Sequence, residues 1–462
     1  MTAAAILADW VHGTGRGELP DEVEHAVARH LLDGVGVTIA AARLGAGSAG
    51  WTVAHGLGGP PQARALTGGE ALSAPAAAMG TAILEHALDF DDTHAGGLVH
   101  PTVTVLPAAF AVGQEVSASG EQTLVAAALG LEAVCRLGAV SPHGFHARGL
   151  HATGVVGPLA AAMTAGRLLG LPAARLVDAL GIAGSSAGGL LEFLDSAADT
   201  KSLHPGSAAF AGVLAARLAA AGASGPPSVL EGNRGVYATL SERAADLGVL
   251  TDDLGVRWEV TRIGIKPYPS CQLMHVTLDA VAAAVADATV DPGDIADIEV
   301  HVHPDSSPFV CGDHTGTAPP RSTYDAKFDL PWSVAALLHD GAVTVDTYTG
   351  ESIARAAVAA TAKSVRVIPA PHPLPAAAAP GRAVITLRDG QSLTGVVAGS
   401  KGTTAVPMTD AEVRAKFIGN CAGHPRADEL ADRILAISAE TDLTVVHDLA
   451  HRIASDRHTD ET

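Results

Sequence analysis

Hydrophobic positions recur every three to four residues from the start of the chain to about residue 260. Val23, Val27 and Leu31 follow this spacing in an early stretch, and the period is that of one face of an α-helix. Glycine and proline interrupt the pattern at residues 58–61 and 170–172, where they indicate turns between helices. The pattern predicts an all-α arrangement for this part of the chain.

The spacing of hydrophobic positions changes to every second residue after about residue 262. Apolar and polar side chains alternate through residues 298–303, as in a strand with one buried face. Residues 384–387 and 393–397 are rich in apolar side chains and flank Asp389-Gly390, a dipeptide that readily forms the tight turn of a β-hairpin. The pattern predicts strands in this part of the chain.

Helical patterns occur around these strands. Residues 274–290 and 331–338 have helical spacing, whereas residues 368–380 are rich in proline and predict a linker or an irregular loop. Thr409 and Glu412 form a capping-box pattern, in which both side chains bind free N–H groups at the start of a helix. The chain is helical again from there to about residue 454, which predicts a return to the first domain.

The length of 462 residues is sufficient for two or three domains. Aromatic residues make up only 3% of the chain and alanine is abundant, which favours closely packed helices over an aromatic-rich β-sandwich. We predict a mainly α protein with a large all-α helical domain and a smaller α+β domain. The predicted domains are 1–262 with 405–462 for the all-α domain, and 263–404 for the α+β domain.

The chain has a formal net charge of −20, from 29 Lys and Arg against 49 Asp and Glu. This charge argues against a nucleic-acid or anionic-membrane partner, because both require a basic surface. A protein of this charge that binds polyanions must gather its cations locally. A cluster of Lys, Arg and His is therefore more informative here than it is in a basic protein.

Cysteine spacing and the N-terminal residues indicate the compartment. The four cysteines form no CxxC motif and match neither a zinc site nor a disulfide framework; they are Cys135, Cys271, Cys311 and Cys421. The first residues include Asp9 and His12 without a basic lead-in, unlike a signal peptide. Charge, histidine or proline interrupts every long apolar run. We expect a cytoplasmic protein without a membrane partner.

Two polar clusters lie in the helical part of the chain. Residues 86–100 contain three carboxylates, three imidazoles and a hydroxyl, and a solvated helix end and a divalent-metal site are both compatible with them. Residues 143–154 contain Arg148 and His151 just before a helical run. A helix N-terminus has free N–H groups that favour a bound carboxylate. The alternative is that His151 and Thr153 cap the helix.

Two further clusters contain lysines. Lys201 and His204 precede a helix of small residues, which permits close approach of a ligand, although a surface lysine before a capped helix is the alternative. Lys266, Tyr268 and Cys271 lie in a segment that two prolines restrain. This segment lies where the helical pattern gives way to the mixed one, and domain interfaces favour ligand sites. A rigid interdomain linker is the competing interpretation.

Taken in order, these segments resemble the MmgE/PrpD family, which includes 2-methylcitrate dehydratases, cis-aconitate decarboxylases and iminodisuccinate epimerases. The resemblance spans nearly the whole chain, and the motifs occur in family order. The matching segments are Asp89-Phe-Asp-Asp-Thr93, His100-Pro101, His151-Ala-Thr-Gly-Val-Val-Gly157, Thr200-Lys201-Ser-Leu-His204-Pro-Gly206, Lys266-Pro-Tyr-Pro269 and Asp325-Ala-Lys-Phe328.

The resemblance implies an all-α domain with a smaller α+β lid, a homodimer, and an active site between the domains that uses neither a metal nor an organic cofactor. It also implies a small carboxylate substrate held by cationic side chains. His151 is the preferred acid or base, since the usual histidine pKa of about 6.5 lies near neutrality. We predict catalytic roles for His151, Asp89, Lys266 and Cys271, and substrate contacts for Thr93, His100, Lys201, Arg148, Tyr268 and Trp332.

Two positions depart from the cis-aconitate decarboxylases. Those enzymes carry a histidine where this chain has Cys271 and a tyrosine where it has Trp332, and both changes weaken a decarboxylase assignment. We therefore predict a cofactor-independent dehydratase that moves a proton next to a carboxylate of a di- or tricarboxylate. The alternatives are an epimerase with Cys271 and either His151 or a lysine as opposed bases, a decarboxylase, and a carboxylate-binding homologue without catalysis.

Overall fold

The computed structural model describes residues 1–196, 198–311, 320–374 and 376–456. Helices dominate these residues, as the three-to-four spacing predicts. Up to residue 251 they are α1 (Ala3–Gly13), α2 (Asp21–Leu44), α3 (Ser48–Leu57), α4 (Ala74–Ala87), α5 (Thr102–Glu115), α6 (Gly120–Ala139), α7 (Gly144–Ala147), α8 (Ala152–Leu168), α9 (Ala173–Ala183), α10 (Phe193–Ser196), α11 (Leu203–Ala220), α12 (Val236–Leu240) and α13 (Gly248–Thr251).

The rest of the chain contains shorter helices and most of the strands. Its helices are α14 (Gln272–Val285), α15 (Ser307–Val310), α16 (Leu330–Asp340), α17 (Gly350–Ile353), α18 (Ala356–Ala362), α19 (Asp410–Asn420), α20 (Ala427–Leu435) and α21 (Thr444–Ser455). The strands of the described chain are β1 (Ala63–Arg64), β2 (Ala71–Leu72), β3 (Ile295–Val302), β4 (Val365–Pro369), β5 (Gly381–Leu387) and β6 (Ser392–Val397).

The first part of the chain is not purely helical. Strands β1 and β2 pair antiparallel through Ala63 with Leu72 and Arg64 with Ala71. The prediction of an all-α domain is wrong in this detail. Two-residue strands are too short to produce a visible alternation, so the sequence pattern contains no signal for them.

The larger sheet has the strand order β4-β3-β5-β6. Strand β3 is parallel to β4 and antiparallel to β5, and the predicted hairpin of β5 and β6 is confirmed. Gly390 lies in its turn with φ of +91°, a backbone region that glycine adopts without strain. Helix α14 packs on this hairpin so closely that a Cβ at Gly395 would lie 2.0 Å from the Ala280 carbonyl oxygen.

Strand β4 corrects a second prediction. The segment 368–380 was expected to be a linker or an irregular loop, but its first two residues, Ile368 and Pro369, end β4 and pair with β3. Pro369 has no N–H group, and it is tolerated because β4 is at the edge of the sheet. The parallel partner of β4 is distant in sequence, so no local turn indicates the strand.

The buried apolar side chains form two large cores. One core joins α1 to α13 with the C-terminal helices, and the other lies between α14, α16 and the larger sheet. Helix α19 begins at the predicted capping box of Thr409 and Glu412 and packs against α2. Ile263 and Ile265, which were assigned to the second domain, pack in the first core; the domain boundaries otherwise stay a prediction.

Helix α6 is the one helix of the described residues that is long and apolar enough to cross a membrane, and 89% of its apolar window is buried in the fold, as in a core helix. Arg136 on α6 is fully buried and donates a 2.5 Å hydrogen bond to Glu132. It also donates to the carbonyl oxygens of Asp252 and Arg257, each at 2.7 Å. Arg136 thereby fastens the segment that leads to the second core.

Replacing Arg136 with methionine should lower the free energy of unfolding by about 3 kcal/mol, because Glu132 would keep a buried charge without its partner. Chemical denaturation measures the loss. The matched control is Arg433→Met, since Arg433 forms a partly exposed pair with Glu440 and should cost less than about 1 kcal/mol. Equal losses in the two variants would contradict the role of Arg136.

Candidate active site

The loop between α4 and α5 is the centre of the candidate site. It forms a bridge with the segment that carries Lys266: Thr93 N donates to Gly264 O at 2.9 Å, and Gly264 N donates to Thr93 O at 2.8 Å. From the other side, Lys416 of α19 donates to the Phe90 carbonyl at 2.8 Å. The returning C-terminal helix and the segment between the two cores therefore fix the same loop.

Asp89 binds two lysines from distant parts of the chain. Its Oδ1 atom lies 2.5 Å from Lys201 Nζ and 3.2 Å from Lys266 Nζ, and Lys266 also donates to the Asp89 carbonyl at 2.9 Å. Burial disfavours the carboxylate charge, but the two ammonium groups outweigh this effect and hold the pKa of Asp89 well below its usual range. The Asp89 Oδ2 atom is buried and has no hydrogen-bond partner among the described residues.

Three imidazoles lie beside this ion cluster. The ring centroids of His86 and His100 are 4.8 Å apart, and each of these rings is 5.8 Å from that of His151. The Asp91 carboxylate contacts Nδ1 of His86 at 2.9 Å and Nδ1 of His100 at 3.0 Å. Burial lowers the pKa of His86 to about 4 although Asp91 opposes the shift. Asp91 thus orients two rings toward His151.

His151 lies at the residue before α8, where its backbone N–H bonds to Gly189 O at 2.8 Å. Its Nδ1 atom is 3.2 Å from Nδ1 of His204, so Nε2 is the ring nitrogen left for other partners. Burial lowers the pKa of His151 well below its usual value, and Lys201 and His100 lower it further. The imidazole is therefore neutral at pH 7 and able to accept a proton.

Cys271 is the residue before α14, at the end of the lysine-bearing segment. Its N–H bonds to the Lys327 carbonyl at 2.9 Å. Burial raises the pKa of the Cys271 thiol, Asp89 raises it further, and Lys201 and Lys266 only partly oppose the shift. The sulfur is thus a protonated thiol, which is an acid rather than a base.

Three of the predicted substrate contacts have other surroundings among the described residues. Arg148 is exposed and lies 3.8 Å from Glu242 on the surface, because α7 ends one turn before His151. Tyr268 donates its hydroxyl to Asp279 at 2.9 Å, which ties its segment to α14. Trp332 is fully buried and packs in the second core. The substrate roles of these three residues, like those of Thr93, His100, Lys201 and Lys266, stay a prediction.

Sequence reasoning did not assign site roles to several residues that the fold brings to the cluster. His86 and Asp91 are in the first polar cluster, where their spacing does not distinguish a pocket wall from a helix end. His204 follows the Lys201 motif and faces His151. Tyr324 is within electrostatic range of Asp89 and Cys271, and only long-range packing places it there.

Among the described residues, two groups have ligand-type atoms within 4.8 Å of one another: His86 with His100 and His151, and His86 with Asp89 and Asp91. In the second group, a divalent cation would face the ammonium groups of Lys201 and Lys266 at Asp89, so this group does not suit a metal. The three imidazoles have suitable donor atoms for a transition metal. The absence of a metal cofactor stays a prediction.

Comparison with known proteins identifies the class. The MmgE/PrpD N-terminal domain matches residues 5–246, and the MmgE/PrpD C-terminal domain matches residues 268–442. The chain belongs to the MmgE/PrpD family, whose members are enzymes.

The curated relatives found are lyases. A cis-aconitate decarboxylase of Aspergillus terreus is 25% identical across 96% of this chain and 94% of its own length. The cis-aconitate decarboxylase of Homo sapiens is 28% identical across 89% of this chain and 86% of its own length. The cis-aconitate decarboxylase of Mus musculus is 28% identical across 79% of this chain and 76% of its own length.

Replacing Asp89 with asparagine should lower the free energy of unfolding by about 3 kcal/mol, because two buried ammonium groups would lose their counterion. Asparagine tolerates the positive φ of 51° at this position, so the backbone is not the cause. Chemical denaturation at pH 7 measures the effect. The control is Asp410→Asn, which alters an exposed ion pair. Its free energy of unfolding should change by no more than about 0.5 kcal/mol. A stable Asp89 variant would refute the proposed ion cluster.

The stability contribution of His151 should depend on pH in a defined direction. The unfolded state binds a proton near pH 6.5 and the buried imidazole does not, so His151 destabilises the fold increasingly as the pH falls below about 6.5. Relative to the wild type, His151→Gln should therefore gain stability by about 1 kcal/mol per pH unit from pH 6.5 downward. Urea unfolding at pH 7.5 and 5.5 measures this. A difference that does not change with pH contradicts the assignment of a neutral imidazole.

Proposed function

We propose that this protein is a cofactor-independent hydro-lyase that removes water from a small di- or tricarboxylate. The observation that carries the proposal is the buried His151, whose ring lies 5.8 Å from those of His86 and His100 and near Lys201, which pairs with Asp89 together with Lys266. A base of this kind next to fixed positive charge suits the removal of a proton from a carbon that neighbours a carboxylate. The protonated thiol of the half-buried Cys271 supplies an acid in the same neighbourhood.

Substrate carboxylates bind at Lys201, Lys266 and His100 in this proposal. The lysines are buried, so their charges act where water screens them little. They also concentrate positive charge in a chain whose net charge is −20. This local concentration is what an acidic protein needs in order to bind a polyanion.

The proposed reaction breaks one C–H and one C–O bond. His151 accepts the proton from the carbon next to a carboxylate, and the lysines stabilise the negative charge that develops on that carboxylate. The electron pair then forms the C=C bond while the hydroxyl leaves, with a proton from an acid of the site, as water. The proton on His151 returns to the donor through solvent, and no electron acceptor is required.

Decarboxylation is the second candidate, and the curated relatives favour it. They are cis-aconitate decarboxylases that align over most of both chains. The reaction would break a C–C bond, release carbon dioxide and add one proton to carbon, so it needs an acid but no base. The family resemblance implies that Cys271 and Trp332 stand where cis-aconitate decarboxylases carry a histidine and a tyrosine, and the neutral His151 gives this site a base as well.

Epimerisation has less support from the geometry. It requires two bases on opposite faces of one carbon, and Cys271 would have to be a thiolate. Burial and Asp89 raise the pKa of this thiol. The same groups that keep Cys271 protonated therefore make it a poor second base.

Purified protein incubated with citrate, 2-methylcitrate or cis-aconitate should form or consume an alkene with gain or loss of water, which proton NMR detects. His151→Gln should reduce turnover about 100-fold or more. The matched control is His447→Gln, another buried histidine whose pKa is lowered to about 3 by burial but which contacts Phe110 in the first core; its activity should persist.

Three other outcomes are informative. Full activity of His151→Gln would refute the role of this residue. Release of carbon dioxide from cis-aconitate would favour the second candidate. Binding of carboxylates without any conversion would indicate a homologue that retained the site and lost catalysis.

A further inference from the structure

Tyr324 has an unusual environment among the four tyrosines of the chain. Its side chain is 9% exposed, and its hydroxyl is buried without a hydrogen-bond partner among the described residues. The other three hydroxyls are bonded: Tyr237 to Leu137 O at 2.6 Å, Tyr268 to Asp279 at 2.9 Å and Tyr348 to Ser333 at 2.8 Å. Buried polar groups are nearly always paired, so the Tyr324 hydroxyl indicates a missing partner.

The contacts of the Tyr324 ring indicate that the missing partner of its hydroxyl lies on the side of the ion cluster. The Tyr324 ring packs 5.6 Å from the Phe328 ring, and Lys201 Nζ lies 5.7 Å above that same Phe328 ring. Tyr324 also interacts electrostatically with Asp89 and Cys271. The Phe328 ring therefore contacts both the phenol ring of Tyr324 and a lysine of the site.

The charge state of Tyr324 fits a donor. Burial raises the pKa of the phenol well above its usual value, and the neighbouring carboxylates of Asp89 and Asp91 raise it further. The hydroxyl thus stays protonated throughout the neutral range. A protonated phenol without a protein acceptor is able to donate one hydrogen bond to a carboxylate or hydroxyl oxygen of a ligand.

We propose that Tyr324 is a substrate-binding residue of this site, and that its hydroxyl donates a hydrogen bond to an oxygen atom of the bound polycarboxylate. The proposal rests on the proposed function for the chemical class of the ligand. It adds a neutral donor to the charged lysines. Such a donor distinguishes ligands by the position of one oxygen atom, because an analogue without that oxygen leaves the buried hydroxyl unpaired.

The test compares two variants that each remove one buried hydroxyl. Tyr324→Phe should lower kcat/KM about 10-fold or more, the loss expected for one hydrogen bond to a charged group, while its Tm equals or exceeds that of the wild type. Tyr237→Phe is the matched control. It removes a bonded hydroxyl in the first core, so its Tm should fall by about 2 °C or more while kcat/KM stays unchanged.

Two results would overturn the proposal. One is a kcat/KM of Tyr324→Phe within about twofold of the wild type. The other is a fall in Tm like that of Tyr237→Phe, because this would show that the hydroxyl has a structural partner such as a buried water.

Calorimetric binding of tricarballylate, an unreactive tricarboxylate, separates this proposal from the proposed function. If the wild type binds tricarballylate but converts none of the tested substrates, the proposed function fails. Tyr324 then keeps its role if Tyr324→Phe weakens binding about 10-fold, and loses it if the affinities are equal. If the wild type neither binds nor converts a polycarboxylate, both proposals are wrong.

Discussion

The ion cluster of Asp89 with Lys201 and Lys266 is the interaction on which the site depends. Each lysine comes from a different part of the chain, and both reach one carboxylate oxygen within 3.2 Å. An unpaired charge at such a depth would be costly, so the three segments must assemble together. The cost of separating them explains why the loop after α4, the turn before α11 and the segment between the two cores form one unit.

The neighbouring histidines follow from the same constraint. Burial, with Lys201 nearby, lowers the pKa of His86 and of His151 and keeps both rings neutral, although a histidine in water is partly protonated near pH 6.5. Asp91 holds two of the rings, and His204 contacts the third. The site consequently combines fixed cations with a free base, a combination that solvent-exposed lysines and histidines would not maintain.

Sequence reasoning predicted some elements well because their causes are local. Asp389-Gly390 determines the hairpin turn and Thr409 with Glu412 determines the start of α19. Strand β4 was missed because its partner is distant. In the site, Lys201 and Lys266 were recognisable within sequence motifs, whereas Tyr324 has no local sequence signal. Arg148 has a misleading signal, because it is a cation close in sequence to His151 but lies on the surface.

Proton transfer at the carbon next to a carboxylate is the central claim, and solvent deuterium tests it most directly. The wild-type protein should be incubated with cis-aconitate or an aconitate analogue in deuterium oxide, and the product examined by proton and deuterium NMR. The account predicts one deuterium at a single stereochemical position next to a carboxylate in every product molecule. Turnover that leaves this carbon without deuterium would contradict it.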